Sequence, residues 1–178
     1  MIGIARTLFA AMGLFVGLAA QAALADDWIK VTPIDGKYVI QMPVKPEEQS
    51  QRLNSPVGPA ALHQYIATVS PQETYISAYF EAQDPLVSDG SADRHLRMAE
   101  AGTLRSFPGS TLRMERETSL NGYPGRIFMI DLGNDSVYTA CIYVVGNRLY
   151  QNVAVTPKAM AGGADTIRFF DSFVVREQ

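Results

Sequence analysis

Residues 136–155 read SVYTACIYVVGNRLYQNVAV, and this stretch decides the fold class. Gly146-Asn147 separates two runs rich in β-branched and aromatic residues, the signature of a two-residue hairpin. Successive side chains of a strand point to opposite faces. One face of residues 137–145 therefore carries Val137, Thr139, Cys141, Tyr143 and Val145, and the other carries Tyr138, Ala140, Ile142 and Val144. Both faces are apolar, so this strand requires cover on both sides.

Outward from the hairpin, further strands are read from alternation and turn residues. Upstream, Thr111 to Thr118 and Arg126 to Leu132 flank Asn121-Gly122, a second hairpin signal, and Gly133-Asn134-Asp135 turns the chain into residue 136. Ala60 to Val69 and Thr74 to Glu81 alternate around Ser70-Pro71-Gln72. Pro43 to Pro59 holds four prolines and reads as a loop with an exposed edge strand near Glu48 to Leu53, since proline cannot donate to a ladder. Trp28 to Val31 and Lys37 to Met42 flank Asp35-Gly36, a third hairpin signal.

Two helices supply cover. Ala92 to Phe107 places Ala92, Leu96, Ala99, Thr103 and Phe107 on one stripe, with Arg94, Arg97 and Arg105 opposite. Gly162 to Phe170 has Ala164, Ile167 and Phe170 at helical spacing, followed by a short strand, Phe173 to Arg176. The expected fold is α+β: an antiparallel sheet of about six or seven strands with helices on both faces, an α/β/α sandwich.

The N-terminus is read as an address rather than structure. Arg6 precedes an apolar run from Leu8 to Ala20, and Ala23-Leu24-Ala25 is a small-residue cleavage pattern. Residues 1–25 are therefore expected to be a cleavable secretory signal, cut between Ala25 and Asp26, with 26–178 a single globular domain. The run is short of the roughly 20 residues a membrane span needs. No cysteine follows it, so no lipid anchor through an N-terminal cysteine is expected. The expected location is periplasmic or secreted. The chain has 178 residues and a net charge of −3, and losing Arg6 with the signal makes it −4. That balance gives no long-range attraction for nucleic acid. The single cysteine excludes an intramolecular disulfide.

Candidate chemistry is sparse. His63 lies mid-strand beside Ala61, Tyr65 and Ala67, and His95 lies at the edge of the helix stripe; either could serve a small hydrolase. Asp93 and His95 are about 200° apart around a helix and make a poor metal pair. Cys141 sits mid-strand and reads as a buried thiol. Gly162-Gly163 lacks the spacing of a phosphate loop and reads as turn chemistry. The Arg94, Arg97 and Arg105 face could grip an acidic partner or simply be solvated. The strand tyrosines (Tyr65, Tyr75, Tyr79, Tyr138, Tyr143 and Tyr150) fit either a core or a binding surface.

The order of motifs is more specific than any one of them. Asp35-Gly36-Lys37-Tyr38-Val39-Ile40-Gln41-Met42-Pro43 is followed by Lys45-Pro46-Glu47, Gly-Tyr-Pro-Gly-Arg at 122–126, Gly-Asn-Arg-Leu-Tyr at 146–150 and Arg168-Phe169-Phe170-Asp171-Ser172-Phe173. Together they resemble the PsbP-like superfamily, which includes photosystem II extrinsic proteins, DcrB-like bacterial envelope proteins and a Ran-binding import protein. The resemblance covers nearly all of residues 26–178. It implies an antiparallel sheet between helices and a non-enzymatic role in binding other macromolecules, and it assigns no catalytic, cofactor or metal residue. The function expected is that of an exported, soluble, non-catalytic accessory protein whose partner is an envelope protein or membrane complex. A small periplasmic hydrolase using His63 or His95 is one alternative, and a carrier of a small apolar ligand is another.

Overall fold

A computed structural model of the chain describes residues 28–35, 37–55, 58–82 and 91–176. The signal reading of 1–25, its cleavage point and Gly36 lie outside the described residues. Seven strands form one antiparallel sheet: β3 (Glu47–Ser55), β4 (Gly58–Ser70), β5 (Glu73–Glu81), β6 (Thr111–Leu120), β7 (Tyr123–Asp131), β8 (Ser136–Val145) and β9 (Arg148–Pro157). Their order is β3-β4-β5-β9-β8-β7-β6, which puts the 136–155 hairpin at the centre. Three shorter strands, β1 (Ile29–Val31), β2 (Tyr38–Met42) and β10 (Val174–Val175), pair antiparallel as a second sheet in the order β1-β2-β10. Helix α1 (Ser91–Ser106) follows β5, and helix α2 (Ala164–Asp171) follows β9 after a single 3-10 turn.

The two faces of β8 enter different cores. Tyr138, Ala140, Ile142 and Val144 join Phe128, Ile130 and Val153 beneath Ala92 and Leu96 of α1, with Ala99 and Phe107 at the margin. This is the helical stripe read from the sequence. It carries one surprise: Glu100 on α1 is buried, where the carboxylate meets Arg126 of β7. A second carboxylate, Glu115 Oε1, lies 3.1 Å from Arg126 Nη2. A buried charge is tolerated only when it is paired. Burial, aided by the neighbouring Glu115, holds the Glu100 carboxyl above its ordinary value despite Arg126.

Cys141 and Tyr143 face the other way, into a core with Tyr38, Ile40 and Met42 of β2, Tyr65, Tyr75, Tyr79 and Tyr150 of the large sheet, and Phe169 of α2. On this side the cover differs from the expected helix layer. The three-stranded sheet supplies most of it, and the eight-residue α2 packs beside β2. Residues 174–175 pair with β2 from more than 130 positions away, a contact that local periodicity cannot reveal. Helix α2 is also turned relative to its expected stripe. Thr166 and Phe169 are buried, whereas Ile167 is 53% exposed. The reason is aromatic packing, since Phe169 meets Tyr75 edge-on with ring centres 5.2 Å apart.

Strands β1 and β2 pair as expected, but their last partners are Val31 and Ile40, so the connection is longer than a two-residue hairpin. Asp35 bends that connection by accepting the Lys37 amide on Oδ1 at 3.1 Å, a local turn that aspartate favours.

Candidate functional site

The tyrosine-lined core leads to one end of the central hairpin. Alternation along β9 puts Arg148, Tyr150, Asn152 and Ala154 on the face that looks at the small sheet. Tyr38 from β2 packs edge-on against Tyr79 and Tyr150, with ring centres 6.0 and 5.5 Å away. Ser77 Oγ donates to Asn152 Oδ1 at 2.8 Å and lies 3.2 Å from the Tyr38 hydroxyl. Burial raises the Tyr38 phenol well above its ordinary value and pushes Tyr79 up to about 12, with Asp35 adding to the latter. These phenols stay protonated at neutral pH and act as donors and packing groups.

Arg148 closes this core at its outer edge and is only 4% exposed. Its Nη1 lies 2.6 Å from Asp35 Oδ2, its Nη2 donates to Glu81 Oε2 at 3.0 Å, and its guanidinium carbon sits 4.4 Å from the Tyr79 ring centre. Burial works against the charge, but Asp35 and Tyr150 outweigh it, and the guanidinium is held above its ordinary value. Burial likewise raises Asp35, and the Lys37 amide and Arg148 reverse that to leave it below the usual carboxylate value. Arg148 Nε finds no hydrogen-bond acceptor among the described residues.

Beside Arg148 the surface opens into a cleft of about 560 Å³. Lys37, Arg148 and Arg176 bring three cations to it, and Tyr123, Tyr150 and the two valines Val145 and Val175 form its walls. Asn147 also lines the cleft and is tied to β5, its Nδ2 donating to the Ala82 carbonyl at 3.0 Å. The hairpin tip is thereby fixed.

The residues singled out in the sequence lie elsewhere. His63 Nδ1 is 2.8 Å from Ser50 Oγ, and its ring stacks on Tyr79 at 4.6 Å. The two residues are cross-strand partners on β3 and β4, so their contact follows from register. A nucleophile–base pair also needs a group to orient the base. Among the described residues no carboxylate bonds His63, and His63 does not line the cleft. His95 Nδ1 is buried without a hydrogen-bond partner among the described residues, on the α1 side of the molecule. Cys141 is buried, 3.1 Å from the Tyr143 hydroxyl, and burial raises its thiol. Arg97 pairs with Asp93 one helical turn away at 2.8 Å, and Arg94 and Arg105 are exposed. Gly162 adopts φ +70, as a turn before α2 requires. The tyrosines belong mostly to the core, with Tyr150 reaching both core and cleft.

The sequence does not assemble Lys37, Arg148 and Arg176, because they start β9 or flank β2 and β10, strands that only the register unites. One signal was available: an arginine at the first position after Gly146-Asn147, on the same face as the aromatic Tyr150.

No family model matches the chain, and no curated protein matches it. Among solved structures it is similar to the solution structure of cyanobacterial PsbP (CyanoP) from Synechocystis sp. PCC 6803. The TM-score is 0.58 at 13% identity, over 90% of this chain and 99% of that one. A crystal structure from Bacteroides thetaiotaomicron VPI-5482 aligns with 84% of this chain and 48% of its own at 10% identity, with a TM-score of 0.40. The second similarity is too distant to carry an argument. The first shows that the chain has a PsbP-like fold.

Proposed function

We propose that the protein is a non-catalytic accessory factor of the cell envelope that works by binding another protein. In this reading residues 1–25 direct export and are removed before Asp26, and residues 26–178 act in the periplasm or outside the cell. The reading draws on the PsbP-like fold and the N-terminal sequence pattern. One observation carries it: the cleft presents cations and tyrosines, groups that hold a ligand, and its lining includes neither a nucleophilic serine or cysteine nor a histidine base. The Ser50–His63 pair joins the edge strand β3 to β4, and neither residue lines that cleft.

The test is recovery of a tagged copy from its own cell envelope after brief crosslinking, together with an assay of p-nitrophenyl acetate turnover. A discrete protein adduct and no ester turnover above buffer are expected. Turnover that disappears in His63→Ala, with no adduct, would overturn this reading in favour of a hydrolase.

A further inference from the structure

We propose that the cleft at the Gly146-Asn147 end of the sheet recognises a carboxylate bearing an apolar group, held by Lys37 and Arg176 with Arg148 behind them. The proposal deepens the binding role above and rests on it in one respect, that the cleft binds rather than reacts.

The first support is register. Val174 pairs with Val39 and Val175 with Tyr38, and the Arg176 amide then donates to the Lys37 carbonyl at 2.9 Å. Lys37 and Arg176 are therefore the next neighbours along the same ladder, and both line the cleft. Like charges opposed on adjacent strands repel. Among the described residues neither forms an ion pair, and what sets them apart from other unpaired cations such as Arg94 and Arg105 is that they stand opposite each other beside Arg148. A net-acidic chain that sets two such cations side by side, next to a third, has built a place for an anion.

The second support fixes the kind of anion. Asp35 and Glu81 already neutralise part of the cluster by pairing with Arg148. Among the described residues, three cations beside two carboxylates leave a single net positive charge. A monocarboxylate matches that charge, whereas a phosphate monoester near −2 would sit against Asp35 and Glu81 with charge left over. Arg148 Nη2 donates to Glu81, and Nη1 and Nε are buried, Nη1 against Asp35, so direct contacts fall to Lys37 and Arg176, and Arg148 contributes field from a poorly hydrated position.

The third support is the wall. Tyr123, Tyr150, Val145 and Val175 place apolar surface beside the cations, which suits an aliphatic or aromatic group next to the carboxylate. That chemistry occurs in small organic acids and at the C-terminal residue of a polypeptide.

Backbone amide NMR titrations of the purified protein distinguish these sources. The probes are phenylacetate, the peptide acetyl-Ala-Ala-Phe as free acid and as C-terminal amide, and inorganic phosphate. Saturable shifts centred on Lys37, Asn147 and Arg176 are expected with the free acid, at least tenfold weaker with the amide. Phenylacetate saturating alongside the peptide acid assigns recognition to the carboxylate and its apolar neighbour alone; saturation by the peptide acid only assigns it to a chain end. The double variant Lys37→Gln with Arg176→Gln should weaken acid binding at least tenfold without lowering the melting temperature, since it removes a repulsion. Amide binding as tight as acid, an unaffected double variant, or phosphate binding tighter than both acids would overturn the proposal. Because affinity is read directly, that failure would leave an adduct from the envelope experiment standing.

Discussion

The two ends of the central hairpin carry inverse charge clusters. At the turn end, Arg148 sits between two carboxylates, Asp35 and Glu81. At the other end, Asp131 sits between two cations, with Arg113 Nη2 at 2.8 Å from its Oδ2 and Lys158 Nζ at 3.0 Å from its Oδ1. The Asp131 cluster is complete: its Oδ1 also accepts the Gly133 amide at 2.9 Å, and the group closes a turn. At the Arg148 end Lys37 and Arg176 are added, and a cleft opens beside them. The difference separates a charge that organises backbone from a charge cluster left with capacity for a ligand.

The largest expected effect is at Arg148. Arg148→Ala removes a buried guanidinium from Asp35, Glu81 and the Tyr79 ring. Breaking a buried pair costs about 3–5 kcal/mol, and because Asp35 and Glu81 can rehydrate, a loss of about 3 kcal/mol in denaturant unfolding is expected. A loss below about 1 kcal/mol, the range of exposed pairs, would erase the distinction between the two ends.

Next comes the packing that supports the turn end. A Cβ at Gly125 would meet Tyr143 Cδ1 at 2.4 Å and the Ile142 carbonyl oxygen at 2.8 Å, and the backbone atom cannot swing aside. Gly125→Ala should cost about 1–3 kcal/mol through overpacking and alter the near-ultraviolet circular dichroism of the tyrosines. An unchanged spectrum with full stability would mean that β7 and β8 do not approach so closely there.

Tyr38→Phe is milder. It deletes one hydroxyl facing Ser77 and keeps the ring contacts with Tyr79 and Tyr150, so about 1 kcal/mol is expected from unfolding curves.

The smallest effect is at Asp131 and depends on pH. Arg113, the Gly133 amide and Lys158 hold its carboxyl far below the ordinary 3.8. Between the folded and ordinary values the unfolded chain binds the extra proton, so stability rises with pH in that window. The contribution is fully present above about 3.8 and fades as the pH falls below it. The melting-temperature gap between wild type and Asp131→Asn should therefore be constant near neutrality and narrow below pH 3.8. A gap that widens on acidification would contradict the assigned pairing.

These clusters also mark the limit of what the sequence reveals. Strands β4 to β9 and helix α1 are legible because Asn121-Gly122 and Gly146-Asn147 are local turn signals and because apolar alternation is a local property. The β1–β2 pair and a strand near residue 174 are legible as well, but their assembly into a separate small sheet is not, since Val174–Val175 reaches β2 across most of the chain, and that sheet supplies most of the cover that two-sided burial had assigned to a helix. Glu100 belongs to the same class: on its helix it looks like a boundary residue, and only the distant Arg126 explains its burial. The candidate site follows suit. Arg148 was visible as a residue after a turn, but its meeting with Lys37 and Arg176 depends on pairing between strands far apart in sequence.

The measurement that bears most directly on the role of the turn end is site-specific photo-crosslinking in the native cell. A benzophenone-bearing residue would replace Tyr123 at the cleft in one strain and Asn134, in the turn beside Asp131, in another. Adducts from position 123 and none from position 134 are predicted. Adducts from position 134 alone, equal adducts from both, or none from either would contradict the assignment of the cleft as the binding face.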